Sequence, residues 1–182
     1  MTNWAKIIEG KIALAQRNIA QGMKPGRISP DARIPQGQSR VTDFPVLDMG
    51  VRPALDKATW SLRLFGLVQN DVTLDWQQFA DLPQTHIQSD MHCVTRWSQL
   101  DMTWQGVTAR DLILMAGPLE SAQHVTIHGH DGYTTNLPLD ALLDDDVLVA
   151  HSVFGAPLSI DHGWPARLVV PKRYAWKGAK WI

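Results

Sequence analysis

The sequence predicts an α+β domain, and three observations carry that reading. Short runs that alternate apolar and polar residues recur along the chain, as half-buried strands require. Helical periodicity is confined to a few segments, and two of those in the body of the chain carry recognisable caps. The Asp131-Gly132 and Phe154-Gly155 steps punctuate strand-like runs as turns. Strands with a few helices inserted between them make an α+β arrangement rather than a repeating βαβ one.

Taken in order, Trp4, Ile8, Ile12, Ala15 and Ile19 fall at helical spacing, so residues 3–21 read as an amphipathic helix. Gly22, Pro25 and Gly26 end it, and residues 22–40 read as an extended arm. Residues 1–40 are therefore expected to be a helix and arm, and residues 41–182 the functional domain. In WSLRLFG, Trp60, Leu62 and Leu64 share one strand face. Asp75 and Gln78 have the spacing of a capping box that opens a short helix over residues 76–82, with Pro83 closing it. Ile87, Ser89, Met91 and Cys93 then alternate with His86, Gln88, Asp90 and His92, so a strand delivers Cys93 at or near its end. Thr108 caps a helix that runs through Met115, with Asp111 in its first turn and Gly117 just past its end. HVTIHGH, VLVAHSV and RLVVP are further strands.

The chain has 182 residues, 45% of them hydrophobic, which suits one domain with a sizeable core. Its formal net charge of −1 provides no global field for nucleic acid or an anionic membrane. No stretch has the length and apolarity of a membrane span. Lys6, Glu9, Lys11 and Arg17 interrupt the N-terminal segment, which is therefore not expected to be a secretory signal. The expectation is a cytoplasmic protein, where a free thiol survives.

That thiol is Cys93, the only cysteine, in the stretch MHCVTRWS. With no second cysteine it can pack, attack a substrate or hold a metal. Cysteine is often inert and buried. Polar neighbours, His92, Thr95, Arg96 and Ser98, favour a thiolate, which both chemical roles need. His124, His128 and His130 line one face of a strand. They read either as imidazole ligands for zinc or as a solvated strand face, and no fourth ligand is placed by sequence.

The C-terminal run HGWPARLVVPKRYAWKGAKWI interleaves His162, Arg167, Lys172, Arg173, Lys177 and Lys180 with Trp164, Tyr174, Trp176 and Trp181. Cations among aromatics suit a phosphate joined to a flat ring system. A single-stranded nucleic acid wants the same ingredients, but the balanced overall charge disfavours it.

Five stretches, HCVTRWS, WQGVTARDLI, GYTTNLPLD, DHGWPARLVVP and YAWKGAKWI, occur in that order. Together they resemble the catalytic domain of the sulfite oxidase-like, molybdopterin-dependent oxidoreductases, and most closely its short bacterial members. The resemblance implies a fold of mixed sheets around a barrel-like core with short helices. It implies one molybdenum and one pterin, with Cys93 as the protein's ligand to the metal. A soft thiolate suits that position, because the pterin supplies the remaining sulfurs. By the same resemblance Thr42, Asp43, Asp131, His162, Arg167, Gly178, Ala179 and Lys180 are cofactor contacts. Arg96 is a candidate for steering substrate, and Tyr133 for a pocket wall or proton donor. The implied reaction is two-electron oxygen-atom transfer on a small oxyanion or sulfoxide, with an electron-transfer partner. Sulfite oxidases carry Arg-Asn-His where this chain has Val41-Thr42-Asp43, which points away from sulfite. A cofactor-free thiol enzyme and a non-catalytic binding module are the alternatives.

Overall fold

The computed structural model describes residues 31–182, together with Glu9 and Ala13. The amphipathic helix expected over residues 3–21 and most of the arm lie outside the described residues.

The central element is a mixed six-stranded sheet. Its path runs β1 (Ser39–Arg40), β5 (Trp97–Thr108), β8 (Leu148–Val153), β10 (Arg167–Val169), with β4 (Thr85–His92) on β5 and β9 (Ala156–Pro157) on β8. β1 pairs parallel to β5, and the other pairings are antiparallel. Two hairpins flank it: β2 (Ser61–Leu64) with β3 (Val72–Asp75), and β6 (His124–His128) with β7 (Thr134–Pro138). The expected barrel-like core is not formed: among the described residues β10 pairs with β8 alone, so the sheet stays open.

The cap signals read from sequence are realised. Asp75 and Gln78 form a reciprocal capping box at the start of α1 (Trp76–Asp81). Thr108 accepts from the Asp111 amide at the start of α2 (Ala109–Ala116), and Gly117 ends it in the left-handed conformation at φ 66°. A single turn, α3 (Leu139–Leu142), follows β7.

Two apolar clusters sit on this frame. One joins Trp60, Phe79, Leu112, Leu137 and Val147, tied to the C-terminus by Trp60 Nε1 donating to the Ile182 carbonyl at 2.8 Å. The other, Met91, Cys93, Trp97, Met102, Trp104 and Leu168's neighbour Val169, holds the cysteine. The twelve-residue β5 is not foreseen from periodicity. Its pairing shifts register opposite Ser89/Met91 and again at Gln105/Gly106, and each bulge breaks the two-residue alternation. β7 is also unforeseen, since TTNLP is short and contains residues that strands disfavour.

Candidate active site

Four segments converge on a cavity of about 440 Å³. The first is the β4–β5 hairpin loop, residues 93–96. The Cys93 amide donates to the Trp97 carbonyl at 2.9 Å and the Arg96 amide to the Cys93 carbonyl at 3.0 Å. Arg96 closes the turn with a left-handed φ of 69°. Cys93 is 3% exposed, and its Sγ accepts from the Thr95 hydroxyl at 3.1 Å. Cys93, Val94 and Thr95 all line the cavity.

The second wall is the segment 44–49. His162 stacks on Phe44, ring centroids 4.0 Å apart, and shares a 3.0 Å hydrogen bond between Nε2 and the Phe44 carbonyl. A carbonyl only accepts, so Nε2 carries the proton, and Nδ1 accepts from Ser159 Oγ at 2.8 Å. Burial lowers the His162 pKa, in keeping with this neutral imidazole. His162 therefore joins two walls with both ring nitrogens committed.

The third wall follows β6. Asp131 accepts from the Tyr133 amide at 3.0 Å, and the Tyr133 hydroxyl donates to the Trp176 carbonyl. Burial raises the pKa of both side chains.

The fourth wall is the C-terminal run. Arg167 is 4% exposed, and its guanidinium donates to the carbonyls of His162 (3.1 Å) and Gly178 (3.3 Å). Lys180 Nζ donates to the Asp161 carbonyl at 2.8 Å. Burial pulls Arg167 down to about 10. Burial, with the Arg167 charge second, pulls Lys180 down to about 8. Sequence gives no warning that Arg167 is core, since long charged side chains are rarely buried unpaired. The close approach rests on two glycines. A Cβ on Gly163 (φ 104°) would stand 3.0 Å from the Cβ atoms of both Arg167 and Lys180. One on Gly178 would stand 2.5 Å from the Leu168 carbonyl.

The fold thus brings Cys93, Asp131, Tyr133, His162, Arg167, Gly178, Ala179 and Lys180 around one cavity. Thr42, Asp43 and Arg96 are exposed and are not among its lining residues. Phe44, Asp48, Met91 and Trp97 also line it, and no motif in the sequence marks them as site residues. The segment holding Phe44 and Asp48 is irregular, so no periodicity marks it. The histidine row does not form a metal centre. His124 and His128 lie exposed on β6, and no group of three or more metal-ligating His, Cys, Asp or Glu side chains occurs among the described residues.

The cavity suits an anion attached to a flat group. Arg167 Nε is buried without a hydrogen-bond partner, and so is Trp97 Nε1. Among the described residues the Arg167 guanidinium has carbonyls but no carboxylate bonded to it. A buried cation of this kind is costly until an anion meets it.

The family model for the oxidoreductase molybdopterin binding domain matches residues 49–182. The chain belongs to this family. It is 43% identical over 151 residues to the oxidoreductase YuiH of Bacillus subtilis, covering 82% of this chain and 76% of YuiH. It is 30% identical to the protein-methionine-sulfoxide reductase catalytic subunit MsrP of Gluconobacter oxydans, over 68% of this chain and 45% of that protein. The NADPH nitrate reductase of Fusarium oxysporum is 29% identical over 70% of this chain, which spans only 17% of that enzyme. The fold matches that of the sulfane dehydrogenase SoxCD from Paracoccus pantotrophus, with a TM-score of 0.65 at 23% identity, over 71% of this chain and 38% of that one. The protein is thus a molybdopterin-binding oxidoreductase of the sulfite oxidase-like group. Among the described residues no helix is long and apolar enough to cross a membrane.

Proposed function

We propose that this chain holds one molybdenum and one pterin and catalyses two-electron oxygen-atom transfer on a small oxyanion or sulfoxide. The observation that carries this is the pairing, in one cavity, of a buried thiol with a buried guanidinium that has no carboxylate partner among the described residues. When bound, the molybdenum–pterin group supplies the two-electron couple and exchanges the oxygen atom.

The residues divide the remaining work. Cys93 supplies the metal's protein sulfur, and the Thr95 hydroxyl, donating to it at 3.1 Å, helps to orient it. Arg167 and Lys180 hold the phosphate through charge-assisted bonds, and Gly178 and Ala179 let the backbone approach it. Met91 and Trp97, packed in the same buried cluster as Cys93, screen the sulfur from water. Tyr133, protonated at neutral pH, can hold a proton at its hydroxyl. Asp131 and His162 brace the walls that grip the pterin, and Thr42 and Asp43 flank Phe44 at its edge. Arg96, exposed on the Cys93 loop, steers substrate towards the opening.

Residues 41–182 form the catalytic unit in this reading. The lone thiol suits the cytoplasm, and an electron-transfer partner would exchange electrons with the loaded enzyme. The protein-methionine-sulfoxide reductase relative supports a sulfoxide as one member of the substrate class.

Metal and pterin analysis of protein made in a host competent for molybdopterin synthesis tests the proposal. The expected result is near-equimolar molybdenum and pterin. Repeated preparations with no molybdenum would sink it. Full thiol-dependent activity without metal would put Cys93 as a nucleophile in its place.

A further inference from the structure

Gln38 belongs to the arm, ahead of the residue at which the family match begins. It is nevertheless 4% exposed, and both ends of its amide are used. Nε2 donates to the Cys93 carbonyl at 3.3 Å. Oε1 accepts from the Ser98 hydroxyl in a short hydrogen bond. Ser98 is itself fully buried, and its Oγ lies 2.9 Å from His92 Nδ1. One amide thus touches the residue that carries the thiol and, through Ser98, the residue before it.

The surrounding backbone fixes that amide in place. β1 begins one residue later and pairs Ser39 with Trp97 and Arg40 with Ser98. The Ser39 amide donates to the Arg96 carbonyl at 2.9 Å, and the Val41 amide to the Ser98 carbonyl at 2.9 Å. The hairpin loop 93–96 is therefore held on its own side by two turn bonds and on the other by the arm. The Cys93 carbonyl accepts from the turn's Arg96 amide and from Gln38 together. Buried amides matched at both ends give direction as well as cohesion. A thiol that must meet a metal at one distance and angle needs such support, and residues behind a ligand commonly provide it.

We infer that Gln38 is a positioning residue for Cys93, setting the orientation of its thiol through the Cys93 carbonyl and the Ser98–His92 link. The inference rests on the proposed ligand role for its consequence in the loaded enzyme, but its geometry concerns the protein alone.

Cys93 is the only cysteine, so alkylation reports on it without ambiguity. Rates with iodoacetamide are measured on cofactor-free wild type, Gln38→Met and Gln38→Glu. Gln38→Met keeps the volume and loses both bonds. Gln38→Glu keeps the acceptor for Ser98 and replaces the amide donor to Cys93 with a carboxyl oxygen. Thr108→Ala, which removes the α2 cap, controls for general loss of stability. The expected result is a rate change of about fivefold or more in both Gln38 variants, the population change that one lost hydrogen bond brings. The control should stay within about twofold of wild type. In molybdenum-loaded Gln38→Glu, the sulfur-to-metal absorption band should shift at unchanged metal content. If Gln38→Met does not fold, Gln38→Glu decides. A rate within about twofold of wild type in the folded Gln38 variants overturns the inference, and so does an equal change in the Thr108→Ala control. Wild type lacking molybdenum would instead remove the proposed function, while the alkylation rates still judge Gln38.

Discussion

The Arg167 guanidinium donates to the His162 carbonyl at 3.1 Å, inside a wall where it is 4% exposed and no carboxylate of the described residues is bonded to it. Backbone carbonyls and the faces of Phe44 and Trp104, 5.5 and 5.6 Å from the guanidinium carbon, hold its charge at the cavity. Arg167→Met keeps most of the volume and removes the charge. Cofactor affinity should fall by about one to two orders of magnitude, the loss of one charge-assisted bond to phosphate. The cofactor-free fold should survive, since the relief of a buried charge is offset by the loss of the donor to the His162 and Gly178 carbonyls. Pterin content and denaturation midpoints check both halves. Unchanged pterin occupancy would show that Arg167 serves another ligand.

Cys93→Ser separates ligation from binding. A hydroxyl is a harder ligand than a thiolate and a poor substitute at this position. Turnover should fall below detection while much of the pterin stays bound, because the cationic wall is untouched. Pterin release and activity are measured on the same sample, and full activity would exclude the ligand role.

Lys180 gives a pH dependence with a definite sign. Its folded pKa of about 8 lies below its ordinary 10.5 because of burial first and the Arg167 charge second. Between those values the folded, cofactor-free protein binds fewer protons than the unfolded chain, so stability rises with pH across that window. Below about 8 both states are protonated and the burial penalty is fully present. Wild type should therefore gain in denaturation midpoint relative to Lys180→Met as pH rises from 8 towards 10.5. A difference that does not vary with pH would mean that Lys180 titrates normally.

Gly163→Ala tests the convergence of the walls. It places a side chain at φ 104° and a Cβ 3.0 Å from the Cβ atoms of Arg167 and Lys180. A loss of about 1–3 kcal/mol is expected, together with lower pterin content, because both cations are pushed from the cavity. Equal stability and equal pterin content would show that the loop yields freely.

The sequence by itself determined the local elements whose signals are local. The Asp75–Gln78 box, the Thr108 cap and the Gly117 stop all form as their side chains and backbone freedom require. Cys93 follows directly on β4, as the alternation from Ile87 implies, and the five ordered stretches point to the family. The long β5 was not legible, because two bulges shift its pairing and scramble the alternation. Nor was the difference between Lys172 and Arg167, two cations of one basic run. Lys172 pairs on the surface with Asp144 at 3.1 Å, while Arg167 is sealed in a wall. Gln38 reads as linker in sequence yet reaches the Cys93 carbonyl, 55 positions along the chain. Caps and strands follow from neighbours in sequence, within a turn or two of backbone. Burial, charge compensation and the bracing of a thiol depend on which distant loops share one cavity, and only the folded chain sets that.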